Sequence, residues 1–336
     1  MTLLLAGDIG GTKSLLSLYR YSATGLQCLS ERRYPSAAWP DLAPMVQAFL
    51  RTQEAEGLGR PEVACFAVAG PVRNGQVTLT TLHWQLEEHR LARDCGLRRV
   101  ELVNDFVVII DALPHLQPTQ VSSVRAGVAM ETAPRLVLGA GTGLGVAMGV
   151  PTTNGLIGIA TEAGHGTFAP RTEAEWRMAQ WLKADLGVER LSIERVVSGM
   201  GLGAVARWLL AERHPVGSRP PWAADRTEDD QDWPEAVAAA AQAGDSLAQE
   251  ALNLWLGAYG SVTGDLALSS LSMGGIWLAG GTAAKQIEGL RSPTFLEPFL
   301  AKGRLRAVLE PVPIQAITDP AVGVFGAACR AGLRLI

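Results

Sequence analysis

Two runs in this chain combine glycine and threonine as a phosphate cradle requires. They are Gly7-Asp8-Ile9-Gly10-Gly11-Thr12-Lys13 and Gly139-Ala140-Gly141-Thr142-Gly143-Leu144-Gly145. Each lies between apolar stretches, 3–6 and 15–19 for the first, 136–138 and 146–150 for the second. Each therefore reads as strand, tight turn, strand. Glycine lets the backbone approach phosphate oxygens with its N–H groups aimed at them, and threonine hydroxyls add donors. A single such turn is weak evidence. Two in matching contexts imply a duplicated domain with a phosphate held by both copies. The phosphate candidates are Gly7, Asp8, Ile9, Gly10, Gly11 and Thr12 in the first run, and Gly141, Thr142 and Gly143 in the second.

Other residues could supply the remaining chemistry. Asp8 ends the first strand beside its turn, where a carboxylate can hold Mg²⁺ through water or serve as an Asx-turn residue. Asn104-Asp105 close an apolar run, the place where open α/β sheets put ligands, and they could equally cap the helix that follows. Glu162 and His165 have the Glu-x-x-His spacing of a helical metal site, but Gly164 and Gly166 argue for a loop. Glu194 follows Ser192, which reads as an N-cap. Gly280-Gly281 sit between a buried strand and a helix, either as a plain turn or as a flat backbone surface for a ligand. Lys13 can reach phosphate or point to solvent. The tryptophans read as core.

These positions need a scaffold, and hydrophobic periodicity supplies one. Strands are expected at about 2–8, 14–20 and 27–34, then a helix over 41–54, strands at 63–69 and 76–79, a helix over 87–95, a strand over 100–103 and a helix over 106–113. The pattern restarts with strands at 135–139, 144–150 and 155–160. Helices follow over 172–186, 199–213, 234–243 and 245–270, then a strand over 276–279 and further helix. The last helix, 321–333, is expected to pack on the first domain. That gives domains of 1–115 plus 316–336 and of 116–315, with the active-site cleft between them. Residues 215–233, rich in Pro, Asp and Arg, read as a mobile surface loop.

The 336 residues suffice for two cored domains. Net charge is −4, which excludes a basic field for nucleic acid. The four cysteines, Cys28, Cys65, Cys95 and Cys329, form no C-x-x-C pair, which argues against structural zinc and a disulfide framework. The uncharged stretch 136–161 is long enough to span a bilayer, but its glycines, Pro151 and Asn154 mark it as strands and turns. No secretory signal or membrane segment is expected, and the cysteine usage fits a reducing, cytoplasmic setting.

The strand order and the two turns resemble the actin-like, ribonuclease H-like α/β fold of hexokinases, with a duplicated β-β-β-α-β-α core. Within it the chain is similar to the bacterial-type ATP-dependent glucokinase family. The resemblance rests on Asp8-Ile9-Gly10-Gly11-Thr12, Val103-Asn104-Asp105-Phe106, residues 139–145, Thr161-Glu162-Ala163-Gly164-His165, Glu194-Arg195-Val196-Val197-Ser198-Gly199 and residues 274–281. It implies that Asp105 is the catalytic base toward the sugar 6-hydroxyl. It also implies that Asn104, Asp105, Glu162, His165 and Glu194 bind sugar, that Gly280 and Gly281 take the adenosine, and that the substrates are glucose and ATP with Mg²⁺ at Asp8. A homodimer is implied too. Ala140, Ala163 and Thr81 stand where the family usually has proline, glycine and asparagine. Two other readings keep the fold: a kinase for a different or broader set of hexoses such as mannose or glucosamine, and a non-catalytic actin-like nucleotide switch.

Overall fold

The computed structural model describes residues 2–23, 25–214, 218–227, 230 and 232–335. Strands β1 (Thr2–Ile9), β2 (Lys13–Ser22) and β3 (Gly25–Pro35) lead to α1 (Leu42–Ala55) and β4 (Val63–Val68). The small hairpin β5 (Gln76–Leu79) and β6 (Trp84–Glu87), α2 (Glu88–Cys95), β7 (Arg99–Asn104) and α3 (Asp105–Ala112) follow. Next come β8 (Val121–Arg125), β9 (Arg135–Ala140), β10 (Leu144–Thr152) and β11 (Gly155–Thr161). Helices α4 (Glu173–Asp185), α5 (Gly199–Arg213), α6 (Trp233–Gln242) and α7 (Ser246–Ser269) precede β12 (Ile276–Ala279). The short helices α8 (Gly281–Lys285), α9 (Ile287–Arg291), α10 (Pro293–Leu300) and α11 (Arg306–Leu309), then β13 (Ile314–Ile317) and α12 (Val322–Leu335), complete the chain.

Contacts divide the chain into two compact units. The first comprises Met1–Gln117, Ala147–Ala160 and Asp319–Ile336, the second Pro118–Val146 and Thr161–Thr318. The assignment of 147–160 differs from the simple cut at residue 116. Its reason is local: a Cβ at Gly158 would lie 2.7 Å from Val107 Cγ1, so this strand segment seats directly on α3.

The first sheet has the order β3-β2-β1-β4-β7. β1, β2 and β3 pair antiparallel, whereas β1, β4 and β7 run parallel. Central β4, Val-Ala-Cys-Phe-Ala-Val, is buried at every position, as a strand covered on both faces must be. Asp41 caps α1, which buries Leu42, Met45, Val46, Phe49 and Leu50 on one face. Gly96, with φ +63°, ends α2 in the left-handed conformation. The second sheet has the order β11-β10-β9-β12-β13-β8. Its first five strands repeat the order of the first sheet, with β9 and β12 parallel, and β12 and β13 parallel. The actin-like duplication is therefore present in the topology. β8 is an addition at the edge, antiparallel to β13.

Three short strands, β6, β8 and β13, are absent from the periodicity reading. Of the expected loop 215–233, residues 215–217, 228–229 and 231 lie outside the described residues. Its described part contains a turn at Pro221–Ala223 and an edge-on ring contact of Trp222 with Trp233, centroids 6.2 Å apart. The stretch 136–161 forms β9, β10 and β11, and no helix among the described residues is long and apolar enough to cross a membrane.

Candidate active site

In the first unit, the β1–β2 turn is closed by Gly10 N–H donating to Lys13 O at 3.1 Å. Ser36 braces it from behind. Its N–H donates to Thr12 O at 3.0 Å, its hydroxyl donates to Gly10 O at 2.7 Å, and the same hydroxyl meets Ser14 Oγ at 2.9 Å. Gly11 is half-buried, and Thr12 and Lys13 are exposed. Gly7 is a different case, because a Cβ there would lie 2.6 Å from Phe66 and 2.9 Å from Leu16. Its glycine is explained by packing under the turn.

Asp8 projects beside this turn against the first turn of α12, where a Cβ at Gly323 would lie 2.6 Å from its Oδ2. Burial pushes the Asp8 carboxyl above the ordinary 3.8, opposed by the Lys13 ammonium. A largely desolvated carboxylate beside a half-buried glycine turn fits a divalent cation that also carries phosphate oxygens.

The strand register brings the next pair to the same end of the sheet. Ile9 aligns with Val68, and Val68 with Asn104. Asn104 caps α3, its Oδ1 accepting from Phe106 N–H at 3.0 Å and from Val107 N–H at 3.2 Å. Capping and site position thus coincide, and the amide oxygen is committed to the cap. The Asn104 amide nitrogen donates to Gly70 O at 3.4 Å and to Asp105 Oδ1 at 3.1 Å. Asp105 Oδ1 also accepts from Phe106 N–H at 3.1 Å. Asp105 is thereby held at a helix N-terminus, where a negative charge is stabilised.

Further back, Arg330 of α12 ties this junction down. It donates to Glu101 Oε1 of β7 at 2.6 and 2.8 Å and to Asp111 Oδ2 of α3 at 3.1 Å. The strand and the helix that meet at Asn104-Asp105 are both anchored to one guanidinium.

In the second unit, Gly139 of β9 aligns with Ala279 of β12, so the second turn and Gly280-Gly281 emerge at one end of the sheet. Gly141 N–H donates to Gly143 O at 2.9 Å, and Gly199 N–H to Gly141 O at 2.7 Å. Gly141 and Gly281 have nothing within 4 Å of where a Cβ would stand, so both backbones are open. Gly280 adopts φ +85°, which favours glycine. Ser198 caps α5 through Gly201 N–H at 2.9 Å, and the buried Trp255 indole donates to Ser198 O at 2.8 Å.

Glu162 precedes and His165 ends a short 3₁₀ turn, Ala163–His165, in keeping with the glycines around them. His165 Nδ1 lies 3.3 Å from Glu194 Oε1, and its Nε2 3.6 Å from Glu162 Oε2. Two carboxylates and one imidazole thus converge, a set that can accept and donate to neighbouring hydroxyls. Their backbone is stitched together: Ile193 N–H donates to Gly166 O at 2.8 Å, Phe168 N–H to Leu191 O at 2.9 Å and Arg190 to His165 O at 2.6 Å.

Every sequence candidate therefore falls into one of two clusters. In the first unit these are the turn around Asp8 and the Asn104-Asp105 junction. In the second they are the Glu162, His165 and Glu194 set, with Gly141–Gly143 and Gly280-Gly281. Sequence reasoning missed the supports Ser36, Ser14, Arg190, Trp255 and Arg330. Only Ser198, as an N-cap serine ahead of a helix, carries a local signal.

The comparisons agree with this geometry. Residues 5–333 match the family described as Glucokinase. The glucokinase of Trichormus variabilis is 39% identical, with 99% of this chain and 100% of that protein covered. The glucokinase of Marinobacter nauticus is 33% identical, with 96% and 95% covered. Among solved structures, a glucokinase from an Antarctic psychrotroph superposes with a TM-score of 0.82 at 27% identity over 98% of both chains. A match across nearly the whole chain, on a fold with both glycine turns in place, means that this chain belongs to the glucokinase family.

Proposed function

We propose that the chain transfers the γ-phosphate of Mg·ATP to the 6-hydroxyl of glucose. The observation that carries this reading is the convergence of Glu162, His165 and Glu194 within 3.3–3.6 Å, since nucleotide binding alone requires no such hydroxyl-recognising set. A site of this kind rejects analogues lacking a hydroxyl by factors of roughly 10⁴.

Asp105 is the general base. It accepts the 6-hydroxyl proton as that oxygen attacks the γ-phosphorus and ADP departs. Phosphoryl transfer is mainly positioning and charge stabilisation, so the rigid seating of Asp105 matters as much as its basicity. Asn104 contacts the sugar through its amide N–H₂, which exchanges its bond to Gly70 O or to Asp105 Oδ1 for a sugar hydroxyl while its oxygen stays in the α3 cap. Gly10–Thr12 and Gly141–Gly143 offer backbone N–H groups and hydroxyls to phosphate, and Gly280-Gly281 give the adenosine a flat surface. Asp8 would hold Mg²⁺, which when bound neutralises phosphate charge. The setting is the cytoplasm and the assembly a homodimer, which sedimentation velocity would check.

A panel of glucose, mannose, fructose, galactose, glucosamine and N-acetylglucosamine tests the specificity. Turnover with glucose far above the rest is expected. Equal turnover with mannose or glucosamine would move the reading to a broader hexose kinase, and ATP hydrolysis indifferent to sugar would favour a nucleotide switch.

A further inference from the structure

The sugar set and the second phosphate turn share one side chain. Glu194 places Oε1 at 3.3 Å from His165 Nδ1. Its other oxygen lies over the turn: a Cβ at Gly143 would be 2.7 Å from Oε2. The carboxylate thus occupies the space where a side chain at position 143 would begin. The two loops are also in direct contact, since a Cβ at Gly164 would lie 2.2 Å from Leu144 O and Thr161 Oγ1 donates to Val146 O at 3.1 Å. All of these residues belong to the second unit.

A carboxylate in van der Waals contact with a phosphate cradle is unfavourable for a polyanion, because like charges a few ångströms apart repel strongly at a partly desolvated site. Only 22% of the Glu194 side chain is exposed, so water screens it incompletely. We propose that Glu194 is an electrostatic gate on the second phosphate turn. Without sugar its carboxylate lies over Gly143 and opposes the nucleotide phosphates. Sugar hydroxyls that donate to the carboxylate draw it toward His165 and off the turn. Nucleotide then binds more tightly after sugar, and ATP is protected from idle hydrolysis until an acceptor is present. This rests on reading Gly141–Gly143 as a phosphate cradle and Glu194 as a sugar contact.

The test is calorimetric titration of the full-length chain with the Mg²⁺ complex of a non-hydrolysable ATP analogue, with and without saturating glucose. For the unsubstituted chain, glucose should lower the nucleotide Kd by about tenfold. Glu194→Gln should bind nucleotide about tenfold more tightly without glucose, and glucose should then add nothing. Glu194→Asp keeps the charge on a shorter arm and should fall between the two. The gain from Glu194→Gln should shrink in high salt, which a purely steric effect would not do. Unchanged sugar-free nucleotide affinity in both variants, with the unsubstituted chain still binding nucleotide, would overturn the gate and leave the kinase reading intact. Absence of nucleotide binding by the unsubstituted chain would overturn both.

Discussion

The two glycine turns look alike in sequence and differ in what surrounds them. The first is built into its unit. A Cβ at Gly7 would run into Phe66 and Leu16, one at Gly11 would lie 2.9 Å from the Thr81 methyl, and Ser36 locks the turn carbonyls. The second is open on its side-chain face, with nothing within 4 Å of where a Gly141 Cβ would stand and only the Glu194 carboxylate where a Gly143 Cβ would stand. The same contrast runs through the catalytic candidates. Asp105 stands on a strand–helix junction held by a cap and anchored through Arg330, whereas His165 and the side chain of Glu162 are more than half exposed on loops. The lesson is that glycine at one turn answers to packing and at the other leaves the backbone open, though the letters are nearly the same.

The contrast can be broken by substitution. Arg330→Met has the largest expected effect on stability. It leaves Glu101 and Asp111 buried without their cation, at a cost of about 3–5 kcal/mol. Chemical denaturation would read it, and a loss below 1 kcal/mol would show that the anchor is dispensable. Gly7→Ala should cost about 1–3 kcal/mol by overpacking against Phe66, while Gly141→Ala should change stability by less than about 0.5 kcal/mol and act on the KM for ATP. Equal stability losses at the two sites would erase the distinction between the turns. Ser36→Ala, which removes the hydroxyl bonds to Gly10 O and Ser14, should cost about 1–2 kcal/mol and raise the KM for ATP.

The smallest effect is one of pH. The Asp8 pKa is raised by burial, so the folded chain favours its protonated form. Its contribution to stability is present below the ordinary 3.8 and is lost as pH rises through the raised folded value. Without metal, Asp8→Asn should therefore raise Tm at neutral pH, with the gain shrinking as pH falls toward that range. A gain that grew on acidification would contradict the assignment.

Much of this was legible in the sequence because it is local. Turn glycines, the strand-end position of Asn104-Asp105 and the glycines around His165 each declare their geometry within a few residues. The supports were not legible because they act across the chain. Arg330 meets Glu101 and Asp111 more than two hundred residues away, and Trp255 reaches Ser198. Both readings of Asn104 were open in the sequence, and the cap is the one the hydrogen bonds to Phe106 and Val107 bear out. The placement of Glu194 over Gly143 needed coordinates, because neither residue's sequence context refers to the other.

The measurement that bears most directly on the account is formation of glucose 6-phosphate from glucose and Mg·ATP, followed side by side for the unsubstituted chain and Asp105→Ala. The account predicts glucose-dependent product from the former. For the variant it predicts a kcat about 10³-fold lower, with nucleotide affinity unchanged. Near-normal kcat in the variant would remove Asp105 as the base, and ADP release without sugar phosphate in the unsubstituted chain would contradict the kinase reading itself.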